Sequence, residues 1–172
     1  MSTTKNLTSS ALLIALGIII PMFMYKVTIP PASYTIASHV PVFISMFISP
    51  SVAIMVSLGT AFGFFVSLPP VIALRALSHI VFAYLGALYI QKNPDLINKP
   101  KQLFIFNILI GLIHATAECL VVILFYQVTQ TSIDLVKFVF LMIGVGGFIH
   151  SIVDFLIAQV VVKKLYQQGF IN

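Results

Sequence analysis

Charge is what this sequence of 172 residues has least of: Asp, Glu, Lys and Arg together make up 8%, against 60% hydrophobic residues. Water-soluble domains carry roughly 25% charged residues. At a mean hydropathy of +1.12, a chain this short cannot hide its apolar surface from water, and a soluble fold is excluded. Cysteine is nearly absent too. The single Cys119, set in an apolar run, rules out a disulfide framework within the chain and a cysteine-based metal cluster. No short apolar stretch leads into a small-residue cleavage site and a hydrophilic chain, so the first apolar run is expected to stay as a helix, not to be removed as a signal peptide. Nucleophile motifs and cofactor fingerprints are missing as well, which argues against an enzyme and leaves no cofactor to expect.

What remains is a series of apolar runs punctuated by proline. A spanning helix takes about 20 apolar residues, so the length predicts one all-α membrane domain over residues 1–172, with six transmembrane helices in the cell membrane. Helix 1 is expected over residues 7–24, with Thr8, Ser9 and Ser10 as capping candidates and Pro21 and Pro30-Pro31 closing it. The run at residues 40–48, with Pro41 near its start, is too short to cross alone and reads as a short or tilted second helix. Ser49-Pro50 and Pro69-Pro70 open helices 3 (to Leu68) and 4 (residues 71–90), proline being suited to a helix start. After the polar loop at residues 91–102, helix 5 is expected over 103–128 and helix 6 over 136–165.

The net charge of +5 comes mainly from lysines between or beyond these runs. It points to the lipid bilayer and its anionic headgroups and not to nucleic acid. With six passes, Lys5, Lys92, Lys99, Lys101, Lys163 and Lys164 fall on one side and Lys26 and Lys137 on the other. The positive-inside rule then places both termini in the cytoplasm and the loops at 25–38, 68–71 and 128–136 outside.

Arg75, Glu118 and Asp154 lie within apolar runs, where a charge costs at least about 2.5–3.5 kcal/mol and marks a functional candidate. Each has a histidine four residues away: His79, His114 and His150. That spacing puts both members on one helix face, giving three polar stripes that converge inside the bundle. Two stripes share a pattern, Gly111-Leu-Ile-His114-x-x-x-Glu118 and Gly147-Phe-Ile-His150-x-x-x-Asp154. Counting 1.5 Å per residue from the outer helix ends puts Arg75 about 6 Å down, Glu118 about 15 Å, His114 and His150 about 21 Å, and Asp154 about 27 Å, on the inner side. On that count no carboxylate shares the depth of Arg75. Its guanidinium is left to clamp a carboxylate from a ligand.

His150 and Asp154 read equally well as polar glue between helices. A metal site from His79, His114, His150 and the carboxylates is chemically possible, but no single helix offers a two-histidine pair, and none is expected. Tyr34, Ser38 and His39 stand in the most polar outer stretch, which leads into the broken segment at Pro41; interrupted helices at membrane depth line cavities. Ala11 and Ala15, with Gly17 beyond, make a small-residue face on helix 1 suited to close helix contact.

These features resemble one family, the substrate-binding subunits of energy-coupling factor (ECF) vitamin transporters. The likeness covers nearly the whole chain: six helices with both termini inside, a short second helix, a long first outer loop and the Ala11-x-x-x-Ala15 pair. The resemblance implies a subunit without chemistry of its own that captures a vitamin in an outer-half pocket. It then docks, through Ala11 and Ala15, on a transmembrane coupling protein with two ATPase subunits, where ATP is used. The strings Pro31-Ala-Ser-Tyr-Thr-Ile-Ala-Ser-His39 and Arg75-Ala-Leu-Ser-His79 look most like the niacin-specific type, with the pantothenate type next. Arg75, His79, His39, Ser38, Tyr34, His114 and Glu118 are then the expected ligand-binding residues. The competing class is a stand-alone, proton-coupled secondary transporter working through Glu118 and Asp154.

Overall fold

The computed structural model describes residues 3–29 and 32–171. Its order is α1 (Thr3–Phe23), strands β1 (Lys26–Ile29) and β2 (Ala32–Thr35), α2 (Val40–Met46), α3 (Pro50–Ser67), α4 (Pro70–Lys92), a short 3-10 turn (Pro94–Asn98), α5 (Pro100–Val128), a wide-turned π-type segment (Leu135–Gly146) and α6 (Gly147–Gln167). Five helices are long and apolar enough to cross a membrane, the π-type segment and α6 forming one of 33 residues. α2, at 7 residues, is about 10 Å long and cannot cross alone.

Prolines open α3 and α4 as the sequence suggests, Pro100 opens α5 ahead of its expected start, and the Ser49 hydroxyl caps α3 by accepting from the Val52 N–H. The start of α1 differs from expectation. The helix begins at Thr3, so Thr8 and Ser10 lie inside it and donate back to the carbonyls of Thr4 and Asn6 instead of capping. Pro21 also lies within α1, in its last turns; Pro30 and Pro31 lie outside the described residues.

α1 packs on α3 through small residues. A side chain at Gly17 would strike Thr60, and one at Gly59 or Gly63 would strike Ile14 or Ile18, so the two backbones approach closely. Ala11 and Ala15 are on the exposed side of α1. The main core gathers Phe43 and Met46 of α2, Val52 and Val56 of α3, Phe82 of α4, Phe106 of α5 and Phe155 of α6. Thus α2, the shortest helix, is wholly buried and is held by its neighbours, not by its own length.

The strands were not legible in the all-α expectation. β1 and β2 pair antiparallel, with Val27 opposite Tyr34 and Lys26 opposite Thr35. A helix of 18 residues, α3, rises about 27 Å from its foot at Pro50. The chain reaches that foot through α2 alone, so residues 36–39 run down into the bundle before α2 begins.

Candidate functional site

Non-helical backbone inside a bundle needs partners for its amides, and Asp154 supplies them. The side chain of Asp154 is fully buried; it accepts from the backbone N–H of Ala37 (2.8 Å) and of His39 (2.9 Å) and pairs with His39 Nδ1 at 3.0 Å. Ser38 Oγ lies 3.4 Å from the same carboxylate and 3.1 Å from His150 Nε2. Ala37 is held at φ 67°, a left-handed conformation rare for a residue with a side chain, at the point where Asp154 grips the loop. Asp154 is therefore within reach of the loop between β2 and α2, closer to it than the count along the helix implies. The count along helix 6 misplaces it because the turns of Leu135–Gly146 are wider than α-helical ones and advance less per residue, and because the loop descends to meet it.

Glu118 is the second hub. Arg75 donates from Nη2 to Glu118 Oε2 at 2.9 Å, and His79 Nε2 lies 3.1 Å from Oε1. Arg75 thus has a carboxylate at its level, contrary to the depth count. At 29 residues α5 is longer than the 23-residue α4, about 43 Å against 35 Å. Depths counted from each helix's own outer end do not share a zero.

His114, only 1% exposed, bonds Ser151 Oγ through Nδ1 at 3.0 Å. Its Nε2 lies 3.6 Å from Glu118 Oε1, too far for a hydrogen bond, and has no partner among the described residues; neither has Arg75 Nε. The Tyr34 hydroxyl donates to the Met142 carbonyl at 2.6 Å, and only a glycine at 146 leaves room for that ring, since a Cβ there would overlap the hydroxyl. Burial raises the Tyr34 phenol pKa above its ordinary value, with Arg75 opposing and Glu118 adding to the shift.

Tyr34, Ser38, His39, Arg75, His79, His114 and Glu118 all line one cavity of about 210 Å³. These are the seven ligand-binding residues expected from the sequence; Thr60 and Phe64 of α3, Lys26 and His150 line it as well. α3 offered no signal, because a threonine and a phenylalanine in an apolar helix look like ordinary core. Ser151, one residue from His150, went unread because a lone serine on a helix usually bonds its own backbone.

Five long apolar helices around a small, partly polar cavity define a multi-pass membrane protein. Over 159 residues the chain is 44% identical to the niacin transporter NiaX of Lactococcus lactis subsp. cremoris (strain MG1363), a match covering 90% of this chain and 71% of that protein. The chain belongs to that family, the niacin-type substrate-binding subunits of ECF vitamin transporters. No protein-family model matches the chain, and no solved structure matches it.

Proposed function

We propose that this chain captures nicotinate in the cavity beneath its first outer loop and delivers it to a shared, ATP-driven coupling module. The observation that carries this reading is Arg75, on the wall of a cavity of about 210 Å³, below the roughly 300–1,000 Å³ of drug-sized ligand sites. That volume suits a single aromatic ring and disfavours the larger vitamins. Arg75 keeps Nη2 on Glu118 and has a buried Nε with no partner among the described residues, a donor free for a carboxylate. A guanidinium and a carboxylate form charge-assisted bonds about twice as strong as neutral ones. Tyr34 and Phe64 offer apolar faces for the ring, and Ser38 and His150 offer donors for its nitrogen. That a 44% identical relative is named a niacin transporter supports the same ligand.

In this reading the chain crosses the membrane with both termini in the cytoplasm, and the cavity opens outward. Docking uses α1, whose Ala11 and Ala15 are exposed and whose inner side is committed to α3. The expected outcome is ATP-dependent uptake of radiolabelled nicotinate by liposomes that hold the chain with its coupling module. Ala11→Leu with Ala15→Leu should remove co-purification with the module and leave nicotinate binding intact. Uptake by the purified chain alone under a pH gradient would instead establish a secondary transporter.

A further inference from the structure

We propose that His39, His79, His114 and Glu118 form a binding site for one zinc-class transition-metal ion in the cavity. The chain has four histidines, and all four converge: His39 stands 4.9 Å from His79, 4.6 Å from His114 and 4.9 Å from His150 by ring centroids, with His79 and His114 4.7 Å apart. One ligand atom each from His39, His79, His114 and Glu118 falls within 4.8 Å of all the others. Four ligands at zinc bond lengths of about 2.0–2.1 Å lie about 3.4 Å apart, so side-chain rotations of an ångström or so close the set. Three imidazoles and one carboxylate suit zinc, nickel, cobalt or copper and not magnesium or calcium, which take oxygen ligands.

The partners behind these ligands are those of a metal site. Ligating histidines commonly donate their second ring nitrogen to a carboxylate or another fixed acceptor. Here His39 Nδ1 is held by Asp154 at 3.0 Å and His114 Nδ1 by Ser151 Oγ at 3.0 Å. The remaining nitrogen of His114, Nε2, is buried, lies 3.6 Å from the Glu118 carboxylate and is unpartnered among the described residues. A buried polar atom without a partner is costly; an ion beside it supplies one.

Arg75 does not block the site, because it holds Oε2 of Glu118 while the imidazoles face Oε1. Asp154, already taken by two backbone amides and His39, supports the site from outside rather than ligating. With neutral imidazoles, as ligation requires, Lys26 and Arg75 balance Glu118 and Asp154 around the cavity. A divalent ion turns that neutral set positive, compatible with an anion in the same cavity.

The test uses the full chain in detergent, purified through an affinity tag without histidine, stripped with a chelator and titrated with zinc chloride without vitamin. The expected result is one zinc per chain at micromolar affinity or tighter. Ser151→Ala should weaken it about 10-fold or more, the usual effect of losing such a support, and His114→Gln should abolish it. Cobalt chloride added to the unaltered chain should give the intense visible bands of a tetrahedral, nitrogen-rich site, a readout independent of how any variant folds. No zinc binding below 100-fold that concentration range, weak octahedral cobalt bands, or zinc binding unchanged in a folded His114→Gln chain would overturn the proposal.

Discussion

Arg75→Ala is expected to weaken nicotinate binding by between about 30-fold and several thousand-fold, since truncating one partner of a buried, hydrogen-bonded charge pair costs about 2–5 kcal/mol and each 1.4 kcal/mol is tenfold. Calorimetric titration of the purified chain checks it. The substitution also strips Glu118 of its strongest partner, so stability must be separated from recognition. Arg75→Ala combined with Glu118→Ala leaves no unpaired charge at that pair and should recover much of the lost thermal stability, yet bind nicotinate no better. Arg75→Lys keeps the charge but loses the planar fork and should bind nicotinate more weakly than the unaltered chain and more tightly than Arg75→Ala. Nicotinate affinity unchanged in Arg75→Ala would remove the guanidinium from the site.

Asp154→Ala should be the most destabilising single change in the loop region. It deprives the Ala37 and His39 amides and His39 Nδ1 of their acceptor at once. Each bond to a charged acceptor is worth about 1.5–3 kcal/mol, and the losses overlap, so about 3–5 kcal/mol is expected, as for breaking other buried pairs. Thermal unfolding in detergent measures the effect. A second readout is local: Lys26 sits at the start of the hairpin joined to this loop, and trypsin should cut after it faster once the loop is released. An unchanged unfolding midpoint together with unchanged cleavage at Lys26 would show that Asp154 does not anchor the loop.

Hydropathy and proline located the five long helices and the buried α2, because lipid demands long apolar runs and proline suits helix starts. The spacing of four in Arg75–His79, His114–Glu118 and His150–Asp154 correctly put these residues on common faces, since that geometry is local. Their partners across helices were not legible. Arg75 meets Glu118 and His39 meets Asp154 only because helices of unequal length sit at particular relative heights, and no single segment encodes its height. The hairpin was missed for a related reason. Its strands are four residues each, too short for a period-2 pattern to stand out beside two prolines. Pairing partners, not propensity, make them strands.

If Arg75 reads a carboxylated ring in the cavity, the chain must tell nicotinate from nicotinamide. The two differ by a carboxylate against a neutral amide of nearly the same shape. Titrating the purified, unaltered chain with each should give saturable one-to-one binding of nicotinate and at least about 30-fold weaker binding of nicotinamide, the lower bound for losing a buried charge pair. Equal affinity for the two, or no saturable binding of nicotinate, would contradict that role for Arg75.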